Sequence, residues 1–287
     1  MKKIALILGI LLFTSGIADA RGCNNFICPT NPYSGSIGLS NLTGVNFLAE
    51  KIAGAIIAKS IKKESKGKYR VNLQSYNTTA LKQGIFKSLE INGTDTITDN
   101  IYISKVKFKT ICDYNFIEIN NKEKTTTFRE DFGMTYNLQF TENDLNNTMQ
   151  NNRQYAEMIR KANNIGNTYK LFNIISTGAK IENGKLYYIM NVSVPLLKVR
   201  PQIVIETDLQ VKNGEIVLNK AKLSTESFQF DMSKLERILN FLNPLEFALG
   251  IFEDKEADTK VEEITIKDNH IDVSGILTID KDIVTEF

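Results

Sequence analysis

The 287-residue sequence is poor in the residues from which most enzyme and metal sites are built. It contains a single histidine, His270, so a mechanism of the Ser-His-Asp or Cys-His type would have to run through that side chain. A GxSxG elbow, a Walker A loop, a GxGxxG turn and an EF-hand loop are all missing from the sequence. We therefore expect no catalytic residue, no cofactor and no metal ion, and a protein that is not an enzyme.

Cysteine is scarce as well, because the chain has only three. Three cysteines cannot build a disulfide framework, and no fourth ligand stands at a spacing that would complete a zinc site. Cys23 and Cys28 are close together in the sequence. We expect these two to form a disulfide in an oxidising compartment and Cys112 to remain a buried thiol.

A strong charge imbalance and a long apolar run are also missing. The formal net charge of +2 gives no global attraction to nucleic acid or to anionic membranes. No apolar run reaches the roughly 20 residues that a bilayer-spanning helix needs. The run Ile4 to Phe13 follows Lys2-Lys3 and precedes Ala18-Asp19-Ala20, which predicts a signal peptide over residues 1–20 with cleavage after Ala20. We expect a periplasmic or secreted protein.

The rest of the chain divides into an irregular leader and a single elongated α+β domain. Residues 21–42 are rich in Gly, Pro, Asn and Ser and predict the leader, and residues 43–287 form the domain. From Tyr69 onward the apolar residues recur with a period of two, which is typical of strands. Asn183-Gly184 and Asn213-Gly214 indicate two-residue hairpin turns. This pattern predicts a long, curved antiparallel sheet wrapped on two or three amphipathic helices.

Helices are predicted over residues 43–63, 141–162 and 231–242. The first and third are strongly apolar on one side, and the third continues past Asn243-Pro244 into a further apolar segment. In the first helix, the predicted buried face consists of Val45, Leu48, Ala49, Ile52 and Ile56. Such faces either pack on a solid core or line a groove for acyl chains. The candidate groove residues are Ile52, Ile56, Leu235, Leu239, Leu242 and Phe252.

Lysines gather at the end of the first helix, at Lys59, Lys62 and Lys63. One interpretation is that they complement the helix dipole on a solvated face. The other is that they form a collar for an anionic lipid head group. The sequence leaves both open.

Several stretches resemble LmeA-like phospholipid-binding proteins. Residues 80–91, ALKQGIFKSLEI, are similar to an element near the start of that family, and residues 100–106, NIYISKV, to its next strand. Residues 140–146, FTENDLN, resemble its mid-chain junction between strand and helix. Residues 239–245 and 264–275 are similar to its final helix and strand pair. The resemblance covers residues 44–280 in order and spacing.

The resemblance implies a periplasmic, non-catalytic protein with a tubular lipid-binding type of fold. Its partner would be a phospholipid or another acyl-chain lipid, with peripheral membrane contact and no nucleic acid. We therefore expect an exported cell-envelope protein that binds such a lipid in an apolar groove, either to hold it or to shuttle it. The alternative is a non-catalytic structural or interaction protein of the envelope with a solid core. Composition does not separate the two, because both need the same apolar faces.

Overall fold

The structure, a computed structural model, is that of an α+β protein dominated by antiparallel strands. It describes residues 26–33, 45–120, 122–123, 125–168, 173–194, 198, 200–223, 242–249 and 257–286. The predicted fold class is confirmed, and one of the sheets curls like half of a barrel. In chain order the elements are α1 (Val45–Glu64), β1 (Lys66–Gln74), α2 (Thr78–Gln83), β2 (Ile85–Phe86), β3 (Ser88–Thr98), β4 (Ile101–Thr110), β5 (Asn115–Asn120), β6 (Thr125–Phe128), β7 (Phe132–Thr141), α3 (Glu142–Asn151), α4 (Arg153–Thr168), β8 (Asn173–Glu182), β9 (Lys185–Ser193), β10 (Gln202–Lys212), β11 (Glu215–Leu223), α5 (Pro244–Leu249), β12 (Asp258–Ile266), β13 (His270–Ile279) and β14 (Val284–Glu286).

Six strands form the largest sheet, in the spatial order β1-β3-β4-β7-β13-β12. Strands β3 and β4 are sequential neighbours, whereas β13 comes from the far end of the chain. It pairs with β7 along its whole length, with Gly275 opposite Tyr136. The hairpin of β12 and β13, near the C-terminus, therefore belongs to the same sheet as β1, β3, β4 and β7 from the first half of the chain.

A second sheet has the order β11-β10-β9-β8 and is a simple meander. Its turns at Asn183-Gly184 and Asn213-Gly214 have positive φ at both residues, as hairpin turns of type I′ require. Both predicted turns are confirmed. This sheet meets the first one where the Val261 N–H donates to the Gly214 carbonyl, at 2.8 Å. A third, smaller sheet has the order β14-β6-β5-β2.

One continuous group of buried apolar side chains connects the large sheets with the helices. Its largest fully buried members are Tyr155, Tyr188, Phe86, Phe128, Phe140, Ile57, Ile61, Leu89, Ile101, Ile117 and Met134. These side chains come from α1, α4 and strands of all three sheets. Side chains therefore fill the space between these elements.

Helix α1 packs on this core through one row of its residues. The buried row consists of Ala49, Ala53, Ile57 and Ile61. Gly54 lies so close to β1 that a Cβ atom there would come within 3.1 Å of the Val71 carbonyl oxygen. Since β1 is an edge strand of the six-stranded sheet, the helix covers part of that edge.

The predicted helix over residues 141–162 is present but is divided into α3 and α4. Thr141 caps α3 in a capping box, in which its hydroxyl accepts from the Asp144 N–H and the Asp144 carboxylate accepts from the Thr141 N–H. Asn152 separates the two helices. Its Oδ1 accepts from the Tyr155 N–H at 3.0 Å and its Nδ2 donates to the Asp99 carbonyl at 2.7 Å. A side-chain oxygen that accepts from the backbone N–H three residues later is typical of an N-cap, so Asn152 ends α3 and starts α4.

The predicted signal peptide lies outside the described residues, and so does much of the leader. Residues 26–33 of the leader are described and contain neither helix nor strand, as expected of an irregular segment. Tyr33, in this segment, stacks on Tyr76 with 4.5 Å between the ring centroids. The leader is therefore attached to the sheet domain at this point.

The disulfide prediction is wrong in its pairing. Cys28 is bonded to Cys112, 84 residues away, with 5.5 Å between the Cα atoms. Cys23 lies outside the described residues. Nearness in sequence misled the prediction, because the leader runs back over the sheet and brings Cys28 to the end of β4. A substituted Cβ at Gly133 of the neighbouring β7 would touch the Phe26 ring, which shows how tightly the leader lies there.

The predicted third helix, residues 231–242, lies outside the described residues except for Leu242, which is in a turn. Pro244 follows and starts the short helix α5 rather than only interrupting a helix. A proline fits the first position of a helix because no N–H is needed there. The Asn243 side chain supports this start by accepting from the Leu245 N–H at 3.2 Å.

Candidate functional site

The structure separates the candidate groove residues into different environments. Leu235, Leu239 and Phe252 lie outside the described residues. Ile56 is half-buried and packs against the core, whereas Ile52 on the same helix is 40% exposed. Leu242 is completely buried. These last three residues do not line a common groove.

Leu242 belongs to a filled part of the interior. The Tyr155 hydroxyl donates to the Leu242 carbonyl at 3.1 Å and lies 2.6 Å from the Tyr188 hydroxyl. Burial raises the pKa of Tyr155 to about 12, and burial raises that of Tyr188 as well, so both phenols stay protonated and can donate. The prediction that Leu242 lines a groove is therefore corrected: protein groups, and not open space, surround it.

Helix α1 carries two of its three large exposed apolar side chains on the side opposite its buried row. Phe47 and Leu48 are 60% and 61% exposed, and Ile52 is 40% exposed. At 100° per residue, Leu48 and Ile52 lie on the outer face, and Phe47 lies between that face and β1. The predicted buried face of α1 is thus wrong for Leu48 and Ile52. We refer to Phe47, Leu48 and Ile52 as the α1 apolar patch.

Lys59, Lys62 and Lys63 are exposed in the last two turns of α1. They continue the outer face on which Leu48 and Ile52 lie. Within the described part of the chain, none of the three lysines makes an ion pair or a side-chain hydrogen bond. The outer face of α1 is therefore apolar in its first half and cationic in its second half.

Beside the α1 apolar patch lies a cleft of about 390 Å³, between α1 and the strands β1 and β3. Its lining residues are Phe47, Glu50, Lys51, Arg70, Val71, Asn72, Leu73, Glu90 and Asn92. We refer to it as the α1–β1 cleft. Its lining combines an aromatic ring, two aliphatic residues, two amides and four charged side chains.

The two carboxylates of the α1–β1 cleft already have partners. Glu50 accepts from the Ser75 N–H at 2.6 Å and from the Ser75 hydroxyl at 2.9 Å. Glu90 accepts from the Asn92 amide at 3.1 Å and lies 3.4 Å from the Lys107 ammonium. The hydrogen bond from Asn92, followed by that from Lys107, holds the pKa of Glu90 below its usual value despite some burial.

The two cations of the cleft are differently placed. The Lys51 ammonium lies 4.3 Å from the centroid of the Phe47 ring, as a cation–π pair. The Arg70 guanidinium makes neither an ion pair nor a side-chain hydrogen bond with any residue that the structure describes. With Glu90 paired to Lys107, the two cations Lys51 and Arg70 exceed the single remaining negative charge, that of Glu50.

His270, the single histidine of the sequence, is the first residue of β13 and has a half-buried side chain. Its Nε2 lies 3.4 Å from an Asp272 carboxylate oxygen, to which Lys267 Nζ is bound at 2.6 Å. Burial alone would raise the pKa of Asp272, but the hydrogen bonds from Lys267 and Gln139 and the nearby charges lower it. The hydroxyl of Thr141, which faces His270 in the register, is held in the cap of α3. This cluster is a polar network on the sheet surface.

In the described part of the chain, no three histidine, cysteine, aspartate or glutamate side chains are arranged to hold a metal ion. None of the helices that the structure describes is both long enough and apolar enough to cross a bilayer. We find no family model, no curated protein and no solved structure that matches this chain. The surface of α1 and the cleft beside it form the candidate functional site.

Sequence reasoning missed Phe47, Leu48, Lys51 and Arg70. A signal for the first two was present, because α1 has large apolar residues on more than one side. Its first half, VNFLAEKIAG, cannot bury all of them against one sheet. Arg70 carried no such signal, since only the pairing of β1 as an edge strand brings it next to α1.

Proposed function

We propose that this protein is an exported, non-catalytic protein of the cell envelope that binds phospholipid or a similar acyl-chain lipid through the outer face of α1. The observation that carries the proposal is the α1 apolar patch. Three large apolar side chains stand exposed on a helix whose opposite side is well packed. An exposed apolar cluster of this kind marks a surface that binds a partner.

The arrangement of the outer face fits a lipid surface. Lys59 follows Ile52 by seven residues and Lys63 by eleven, or about 10 and 16 Å along the helix axis. Apolar side chains can enter the acyl region while the lysines meet anionic head groups, as in interfacial amphipathic helices. The two interpretations of these lysines, as complement to the helix dipole and as collar for an anionic head group, are compatible. A solvated lysine at the end of the helix is also accessible to a lipid head group.

The magnitude of the expected binding is modest. Full burial of an apolar side chain of this size contributes about 1.5–3 kcal/mol, and roughly half of each is still exposed, so the patch contributes about 2–4 kcal/mol. Each lysine near an anionic leaflet adds about 1 kcal/mol. The sum is comparable to the binding of one myristoyl chain, which is reversible. Reversible attachment suits a protein that picks up or delivers lipid.

The second candidate function is a structural or interaction protein of the envelope with a solid core. The nearly complete burial of Leu242, Tyr155 and Tyr188 favours it, because these residues leave almost no surface for an acyl chain to contact. In that case a protein partner, and not a lipid, covers the α1 apolar patch.

Co-sedimentation with phospholipid vesicles tests the proposal. Leu48→Ser/Ile52→Ser should reduce the vesicle-bound fraction strongly. Ile175→Ser/Val284→Ser is the matched control, because Ile175 and Val284 are 55% and 51% exposed on other elements. That variant should bind as the unmodified protein does. Equal binding by both variants, or no binding by the unmodified protein, would contradict the proposal.

A further inference from the structure

The α1–β1 cleft has the size and the chemistry of a small-ligand site. Its volume of about 390 Å³ lies within the range of ligand pockets, roughly 300–1,000 Å³. Phe47 belongs both to this cleft and to the α1 apolar patch, so the two surfaces are continuous. A ligand with a polar head and an apolar body can occupy both at once.

The charge of that head follows from the partners of the lining residues. Glu50 is held by Ser75, and Glu90 by Asn92 and Lys107. The Glu90 charge is thus paired with a cation, whereas Glu50 has hydrogen bonds but keeps its negative charge. Arg70, in contrast, has no ion pair with a described residue, and Lys51 has only the face of an aromatic ring. Lys107 balances Glu90, and the two cations Lys51 and Arg70 exceed the one remaining negative charge, that of Glu50. The excess charge in the cleft is therefore cationic and favours an anionic head.

The types of donor indicate which anion fits. A guanidinium presents a planar fork that matches phosphate oxygens in bidentate geometry. An ammonium adds a point charge, and the ring of Phe47 restricts its position. The side-chain amide of Asn72 lines the same cleft and offers further donors. A phosphate group, with several oxygens around one centre, uses all of these donors together.

We propose that the α1–β1 cleft binds the phosphate of an anionic amphiphile, with Arg70 and Lys51 as the recognising cations, while the apolar part of that molecule lies on Leu48 and Ile52. This inference rests on the proposed function. It assigns head-group selection to the cleft, and leaves Lys59, Lys62 and Lys63 a general attraction to anionic surfaces. The same chemistry would accept a soluble phosphate ester, so both sources have to be tested.

The experiment compares vesicles of phosphatidylcholine with vesicles that contain phosphatidylglycerol, and adds soluble glycerol 3-phosphate in calorimetry. Lys51→Gln/Arg70→Gln removes the two cleft cations, and Arg160→Gln/Lys161→Gln removes two exposed cations of α4, outside the proposed binding surface. The cleft variant should lose the preference for phosphatidylglycerol by about tenfold, as expected for charge-assisted hydrogen bonds. The control should keep most of that preference. Arg70→Lys keeps the charge but loses the planar fork of donors. Its preference for phosphatidylglycerol should lie between that of the cleft variant and that of the control. Circular dichroism checks that each variant is folded.

The outcomes separate this inference from the proposed function. If the unmodified protein binds neither kind of vesicle, the proposed function fails. If it binds vesicles but the cleft variant keeps its preference, or the control loses as much, only the inference on the cleft fails. If glycerol 3-phosphate binds in a way that depends on Arg70, but the cleft variant keeps its preference among vesicles, the phosphate site is supported. The proposal that a lipid supplies the phosphate is then overturned.

Discussion

Removal of the disulfide between Cys28 and Cys112 should lower the free energy of unfolding by about 4.5 kcal/mol. The bond closes a loop with a sequence separation of 84 residues. In the chain-entropy account, opening a loop of that size gives the unfolded chain enough freedom to cost this amount at 25 °C. Cys28→Ala/Cys112→Ala is the variant of choice, because alanine leaves no unpaired polar group at the buried position 112.

The assay is equilibrium unfolding in urea, followed by far-ultraviolet circular dichroism. The unmodified protein in the presence of a reductant should unfold at the same urea concentration as the double variant. Cys23→Ala is the control and should leave the midpoint unchanged. Peptide mapping of the oxidised protein should recover Cys28 linked to Cys112.

Evidence for a bond between Cys23 and Cys28, the pairing that the sequence suggested, would refute this prediction. A bond between Cys23 and Cys28 closes a loop of only about six residues and is worth roughly 2 kcal/mol. In that case the double variant would lose about half of the expected stability. Cys23→Ala would then be as unstable as the double variant, and mapping would recover the short-range pair.

Two further predictions concern a turn and a charge. Gly84→Ala should destabilise the protein by at least about 3 kcal/mol in urea unfolding, since Gly84 has φ of 89° and its new Cβ would lie 1.9 Å from the Ile117 carbonyl oxygen. Gly184→Ala, whose Cβ would be 3.9 Å from its nearest neighbour, should cost only about 1 kcal/mol, and equal losses would contradict the steric argument. The lowered pKa of Asp272 means that its ionised form stabilises the fold above pH 4 or so, and that this contribution disappears as the pH falls through the folded-state pKa. Asp272→Asn should therefore flatten the loss of thermal stability in acid, and unchanged acid sensitivity would count against the ion pair with Lys267.

Local signals in the sequence predicted local structure well. The Asn-Gly turns fixed the hairpins of the second sheet, because few other dipeptides adopt positive φ twice in succession. Thr141 and Asp144 are three residues apart, the spacing of a capping box, and they start α3. The pairing of β13 with β7 was not predictable in the same way. Alternation tells which side of a strand is buried and contains nothing about which strand lies beside it.

In the candidate site, too, the local structure was predictable and the packing against other elements was not. The sequence predicted α1 as a helix, but it assigned Leu48 and Ile52 to the buried face. Both sides of this helix carry apolar residues, so periodicity alone could not decide which side meets β1. Gly54 decides it, because the absence of a Cβ atom there allows the helix to approach the Val71 carbonyl closely. An exposed apolar patch is the consequence of that choice.

The central claim, that the outer face of α1 contacts lipid, is tested most directly by one fluorescent reporter. The chain has no tryptophan, so Leu48→Trp introduces the only indole and its emission reports on that position alone. We predict that adding phospholipid vesicles shifts this emission to shorter wavelength, while the emission of Ile175→Trp, on β8, stays unchanged. An unshifted spectrum for Leu48→Trp, or an equal shift for both variants, would contradict the account.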